Sequence, residues 1–146
     1  MKIFFKYLLT LFSIISFSQE TKIKAYIDCR CDENYIKQET SFLEYVRDQD
    51  LADVEIFIRD ERNPTGSRSF EIKIDGNNMY QGISSTGTVV GYANDTSSSL
   101  RDKLVNKLKV VLVPFLDKGE YNLNQYQVPN YSRLYLKMER VLLLIC

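Results

Sequence analysis

The chain contains neither histidine nor tryptophan. Without histidine it lacks the usual general base near neutral pH and the commonest neutral metal ligand. It also lacks any block of one charge, because 19 Lys and Arg are interspersed with 19 Asp and Glu across 146 residues. Nucleic acid and anionic membrane surfaces both demand a clustered basic face, so neither is expected as a partner. Membrane-length apolar runs are missing too. The apolar stretch over residues 7–17 is about eleven residues long, against the roughly 20 that a spanning helix needs, so no transmembrane helix is expected in the mature chain.

That stretch fits a secretory signal peptide instead. Lys2 and Lys6 supply the positive start, the apolar run follows, and Ser16 and Ser18 flank Phe17 as the small residues a signal peptidase reads. Cleavage is expected between Ser18 and Gln19. No cysteine stands directly after the cut, where Gln19 lies, which argues against a lipoprotein. The expected organisation is a signal peptide over 1–18, an α+β domain over 19–118, and a linker or tail over 119–146. Once Lys2 and Lys6 are removed, 17 basic residues stand against 19 acidic ones. The mature chain then carries about −2 over about 128 residues, enough for one domain with a real core.

Along the mature chain, Ile23, Ala25 and Ile27 alternate with Lys22, Lys24, Tyr26 and Asp28, the period of a half-buried strand. Asp32 then caps a predicted helix running to about Asp48, with Glu33 by its positive end and Ile36, Leu43 and Val46 on one stripe. A second strand is predicted over residues 54–59. The turn chemistry of residues 63–67 joins it as a hairpin to a third strand holding Phe70, Ile72 and Ile74. Residues 75–78 form the next turn, residues 79–83 an extended piece, 84–87 a polar link and 88–93 a short final strand, with Gly82 and Gly91 expected to weaken these strands. Asp95, Thr96 or Ser97 caps the best helix in the chain, with Leu100, Leu104, Leu108, Val111, Leu112 and Phe115 on one face. Pro114 is expected to end it.

This order predicts an α+β fold: a mostly antiparallel sheet of four to five strands with two amphipathic helices on one face. Its core would set Ile23, Ala25, Ile27, Val54, Ile56, Ile58, Phe70, Ile72 and Ile74 against Leu43, Val46, Leu104, Leu108 and Val111. Beyond residue 119 the pattern dissolves into a polar, aromatic segment with Pro129, and the chain closes on six apolar residues ending at Cys146. Such an end is expected either of a truncated reading frame or of a terminal element that docks on the domain.

The run Ile27-Asp28-Cys29-Arg30-Cys31-Asp32, the segments at 35–39, 42–48 and 52–56, Thr65-Gly66, Asn94-Asp95-Thr96 and residues 108–115 together resemble the amino-terminal domain of an uncharacterised family of exported bacterial proteins. The resemblance covers roughly residues 26–115. It implies a longer protein in which strand-rich sequence, suggestive of an outer-membrane β-barrel, follows this domain. More remotely, the order of strands and helices resembles the amino-terminal α/β domain of the Tol-Pal β-propeller protein, a periplasmic interaction module.

Candidate chemistry is thin. Cys29 and Cys31 offer two thiolates with Asp28 and Asp32 nearby, yet no histidine or second cysteine pair completes a zinc shell. In an oxidising compartment they are candidates for a disulfide or for packed thiols. Bridging across one residue strains the ring, so pairing with Cys146 or another chain competes. Alternation would point both towards the core. Asp48, Asp50, Asp53, Asp60 and Glu61 form an acidic scatter that reads as solvated surface, and Arg47-Asp48 as a local ion pair at the end of the first helix. Residues 84–87 lack the lysine of a phosphate loop, and Ser97, Ser98 and Ser99 lack a histidine base. Tyr80, Tyr92, Tyr121 and Tyr126 are possible contact residues.

No catalytic residue, metal ligand or cofactor is therefore assigned, and the ligand-binding surface stays open. The expected function is an exported, envelope-associated interaction or accessory domain, its partner an envelope protein or a carboxyl-terminal barrel region. The expected location is the periplasm or the periplasmic face of the outer membrane. The alternative is a hydrolase of an envelope or extracellular polymer working through Asp28, Asp32 or Asp60.

Overall fold

The computed structural model describes residues 22–62 and 67–119. The signal-peptide and tail expectations, residues 63–66 of the predicted turn, Tyr121, Tyr126 and Cys146 lie outside the described residues. Strand β1, Lys24–Cys29, forms where the alternation begins, burying Ala25 beside Ile23. Asp32 accepts the Tyr35 N–H and starts helix α1, Glu33–Glu39, with Glu33 in its first turn.

Helix α1 stops nine residues short of the predicted end at Asp48. At its carboxyl end Thr40 turns its hydroxyl back onto the Ile36 carbonyl at 2.6 Å, the local bonding by which threonine competes with helix continuation. The chain then folds back as β2, Glu44–Tyr45, a short parallel partner of β1. Leu43 is buried as expected, but Val46 and Ile27 are only half-buried. Tertiary pairing has overridden a plausible helical stripe.

Strands β3, Val54–Arg62, and β4, Arg68–Gly76, make the expected hairpin, and β5, Ser84–Gly91, adds antiparallel to β4. The five strands lie in the order β2-β1-β3-β4-β5. The sheet is mostly antiparallel, but β1 runs parallel to both its neighbours, since a helix rather than a hairpin leaves it. Two local expectations are corrected. Residues 79–83 do not extend: Asn78–Tyr80 form a 3₁₀ turn that buries Tyr80. The stretch 84–87, expected as a link, is the first half of β5.

Glycine explains why β5 was hard to place. A Cβ at Gly87 would come within 2.6 Å of the Val111 methyl, and one at Gly91 within 2.8 Å of the Leu100 side chain. These glycines, the second of them expected only to weaken the strand, let the long helix α2, Ser97–Val111, lie close against β5. Thr96 caps α2 by accepting the Ser99 N–H. Pro114 does not end the helical structure. It sits in the first turn of a further helix, α3, Val113–Lys118, where its missing N–H has no bond to lose.

Ile36 of α1, Leu104 and Leu108 of α2, and Phe115 and Leu116 of α3 join Val54, Ile56, Ile58, Phe70, Ile72 and Ile74 in one core, so the helices share one sheet face. Each large aliphatic side chain so buried contributes roughly 1.5–3 kcal/mol before ordering entropy is subtracted. The other face carries Glu55, Phe57, Arg59, Glu71 and Lys73, half-buried or exposed. No helix among the described residues is long and apolar enough to cross a membrane.

Candidate functional site

Where β1 gives way to α1, the chain passes over the start of α2 and the first residues of β4. A cleft of about 300 Å³ opens there. Its floor is Ile36, Phe70, Leu100 and Leu104, contributed by α1, β4 and α2, and Cys31 forms part of its rim. The apolar floor follows from the sequence pattern, since each of these side chains lies on the core-facing side of its element.

Two guanidiniums frame the cleft. Arg101 bonds the Asp32 carboxylate at 2.6 Å and lies 5.0 Å above the Tyr35 ring. The Tyr35 hydroxyl donates to Asp102, so one turn of α2 grips both the cap and the first turn of α1. On the other side, Arg68 forms a two-pronged pair with Asp60 at 2.6 and 3.1 Å and stacks 5.1 Å from the Phe70 ring. The hydrogen bond from Arg101, followed by that from the Tyr35 N–H, holds the Asp32 carboxyl below the usual carboxylate range. Arg68 does the same for Asp60. The bond to Asp102 pushes the Tyr35 phenol up.

Cys29 and Cys31 are joined by a disulfide with their Cα atoms 5.3 Å apart. Competition from another partner is thus not what the structure adopts, because the turn between β1 and α1 already brings the two residues within bridging distance. Both sulfurs' residues pack against the core from the side expected by alternation.

The other expected residues scatter. Asp28 lies on the opposite sheet face, 3.5 Å from Arg59, so it does not reach the cleft that Asp32 lines. Asp48 accepts the Asp50 N–H and caps a 3₁₀ turn, and the helix end at which Arg47-Asp48 was expected does not exist. Asp53 accepts from the Lys24 N–H and from Asn78. Asp50 and Glu61 are exposed. Tyr80 is a core residue 6.1 Å from Phe115, whereas Tyr92 is exposed. Among the described residues, no three His, Cys, Asp or Glu side chains gather as a group that could hold a metal ion.

Sequence reading missed Arg68, Arg101, Asp102 and Tyr35 as members of one site. Only the Asp32 cap carried a local signal, and the rest depends on which helix crosses which strand end. Family models, curated proteins and solved structures yield no match to this chain.

Proposed function

We propose that this chain is a non-catalytic interaction domain, exported and envelope-associated, whose contact site is the cleft between α1, α2 and β4. The observation that carries the reading is the pairing of the two arginines that line the cleft. Asp32 and Asp60 are each bound by an arginine that keeps them ionised, whereas a hydrolase working through a carboxyl pair needs one carboxyl held protonated as the acid. An apolar floor framed by paired, stacked guanidiniums instead suits recognition, since arginine and aromatic residues dominate contact energetics. The Cys29–Cys31 disulfide supports export, because such bridges persist in oxidising compartments.

The test has two parts. Cell fractionation with amino-terminal sequencing is expected to place the protein in the envelope or periplasmic fraction, beginning at Gln19. Purified protein incubated with peptidoglycan and with extracted envelope polysaccharide is expected to release no fragments. Cleavage that disappears in Asp32→Asn or Asp60→Asn would replace this reading with the hydrolase.

A further inference from the structure

The two sheet edges are unequal. At one, β2 is only Glu44–Tyr45; at the other, β5 runs for eight residues and, among the described residues, pairs with β4 alone. Long edges are ordinarily blunted by charge, proline or a bulge, because their unpaired amides invite another strand. Here the sequence is Ser-Ser-Thr-Gly-Thr-Val-Val-Gly, with no charge and no proline, although β1, β3 and β4 all carry ionisable side chains.

The register fixes which backbone groups point outward from β4. The Gly76 N–H bonds the Ile83 carbonyl at 2.9 Å and Asp75 stands opposite Ser84. By antiparallel alternation, Ser85, Gly87, Val89 and Gly91 then spend their backbone groups on β4. The backbone groups of Ser84, Thr86, Thr88 and Val90 point away from the sheet. Their side chains are exposed, and Val90 and the adjoining Tyr92 are among the few large hydrophobic residues left open to solvent.

We propose that β5 pairs antiparallel with β5 of a second copy of this chain, about a two-fold axis through Thr88, joining two sheets into one. In this register the outward amides and carbonyls of Thr86, Thr88 and Val90 meet those of Val90, Thr88 and Thr86 in the other copy. On the solvent face, Thr88 stands opposite Thr88 and each Thr86 opposite a Val90, β-branched pairs that favour strand pairing. No like charges are opposed, because β5 carries no charge at all, and β3 and β4 are already paired on both sides within the sheet. The ladder ends at Tyr92, whose N–H is already given to Asp95 at 2.8 Å. This pairing is independent of the cleft.

Sedimentation equilibrium and light scattering of the full chain test it. Wild type is expected to run as a dimer. Thr88→Lys and Thr88→Glu, each facing its own charge across the axis, are expected to run as monomers with unchanged circular dichroism, and an equimolar mixture of the two to recover the dimer mass. Hydrogen exchange supplies a second measurement on the wild type. Protection of the Thr86, Thr88 and Val90 amides is expected to rise with protein concentration while that of Ile72 does not. A monomeric wild type, a dimer indifferent to both charges, a mixture of folded variants that stays monomeric, or exchange at those amides independent of concentration would overturn the proposal.

Discussion

Single side chains show where this fold leaves least slack. Thr40 is fully buried, donates to the Ile36 carbonyl and lies 2.6 Å from the Tyr45 hydroxyl. With its one proton given to Ile36, it must accept from Tyr45. Thr40→Val keeps the shape but strands that phenol, and an unsatisfied buried polar group costs about 1–3 kcal/mol; urea unfolding is expected to show a loss of that size. Burial, with a smaller push from Glu33, raises the Tyr45 phenol to about 12. Because the folded value lies above the unfolded one near 10, this tyrosine's contribution is complete below pH 10 and is lost as pH rises towards 12. The unfolding free energy of wild type is therefore expected to fall more steeply across that window than that of Tyr45→Phe, and equal slopes would refute it. Gly76 is fixed by a different contact, because a Cβ there would press into the Tyr80 carbonyl. Gly76→Ala is expected to cost about 1–3 kcal/mol, read from the shift in urea midpoint. The turn residues at 75–78 mark the turn, but the close backbone approach behind it leaves no local mark, since the 3₁₀ turn closes on a residue four positions away.

Between elements, α1 and α2 are coupled through Asp32 with Arg101 and Tyr35 with Asp102. Asp32, Asp60, Asp75 and Asp95 all titrate below the usual range, held there first by hydrogen bonds from Arg101, Arg68, Lys73 and Lys103 respectively. Folded values below the unfolded ones near 4 mean that these pairs stabilise the fold above that pH and cease to as pH falls through the lowered values. The melting temperature is expected to drop on acidification below about pH 4. Arg101→Ala should flatten only part of that drop, because exposed pairs contribute little individually; an unchanged acid profile in Arg101→Ala would contradict the assignment. Lys109 differs in being buried, with its ammonium 3.5 Å from Glu39. Replacing such a buried charge by an apolar isostere is commonly neutral or stabilising, so Lys109→Met is expected to keep or raise the melting temperature, and a large fall would show that the pair is needed.

These elements were unequally legible in the chain. The β3–β4 hairpin was plain because turn residues and alternation agree, and α2 because its apolar stripe and its cap agree. Helix α1 read too long because Phe42, Leu43 and Val46 keep a helical spacing even where strand pairing wins. The parallel partners of β1 left no local mark, since only the crossover through α1 decides them.

At the scale of the molecule, the fold class, the single helical face and most of the core follow from periodicity, whereas the cleft follows from how three elements meet. The disulfide at its rim closes so short a loop that chain entropy assigns it only about 1.5 kcal/mol. Reduction is expected to lower stability by roughly that amount without unfolding the domain, and unfolding on reduction would give the bridge a larger structural role. The central claim is that the cleft, rather than the solvent-facing sheet, is the contact site of an exported domain. Photocrosslinking in living cells tests it most directly, with a photoreactive residue placed at Ser97 on the cleft or at Lys73 on the opposite sheet face. The account predicts a discrete adduct with an envelope protein from Ser97 and none from Lys73. An adduct from Lys73 alone, equal adducts from both positions, or none from either would contradict it.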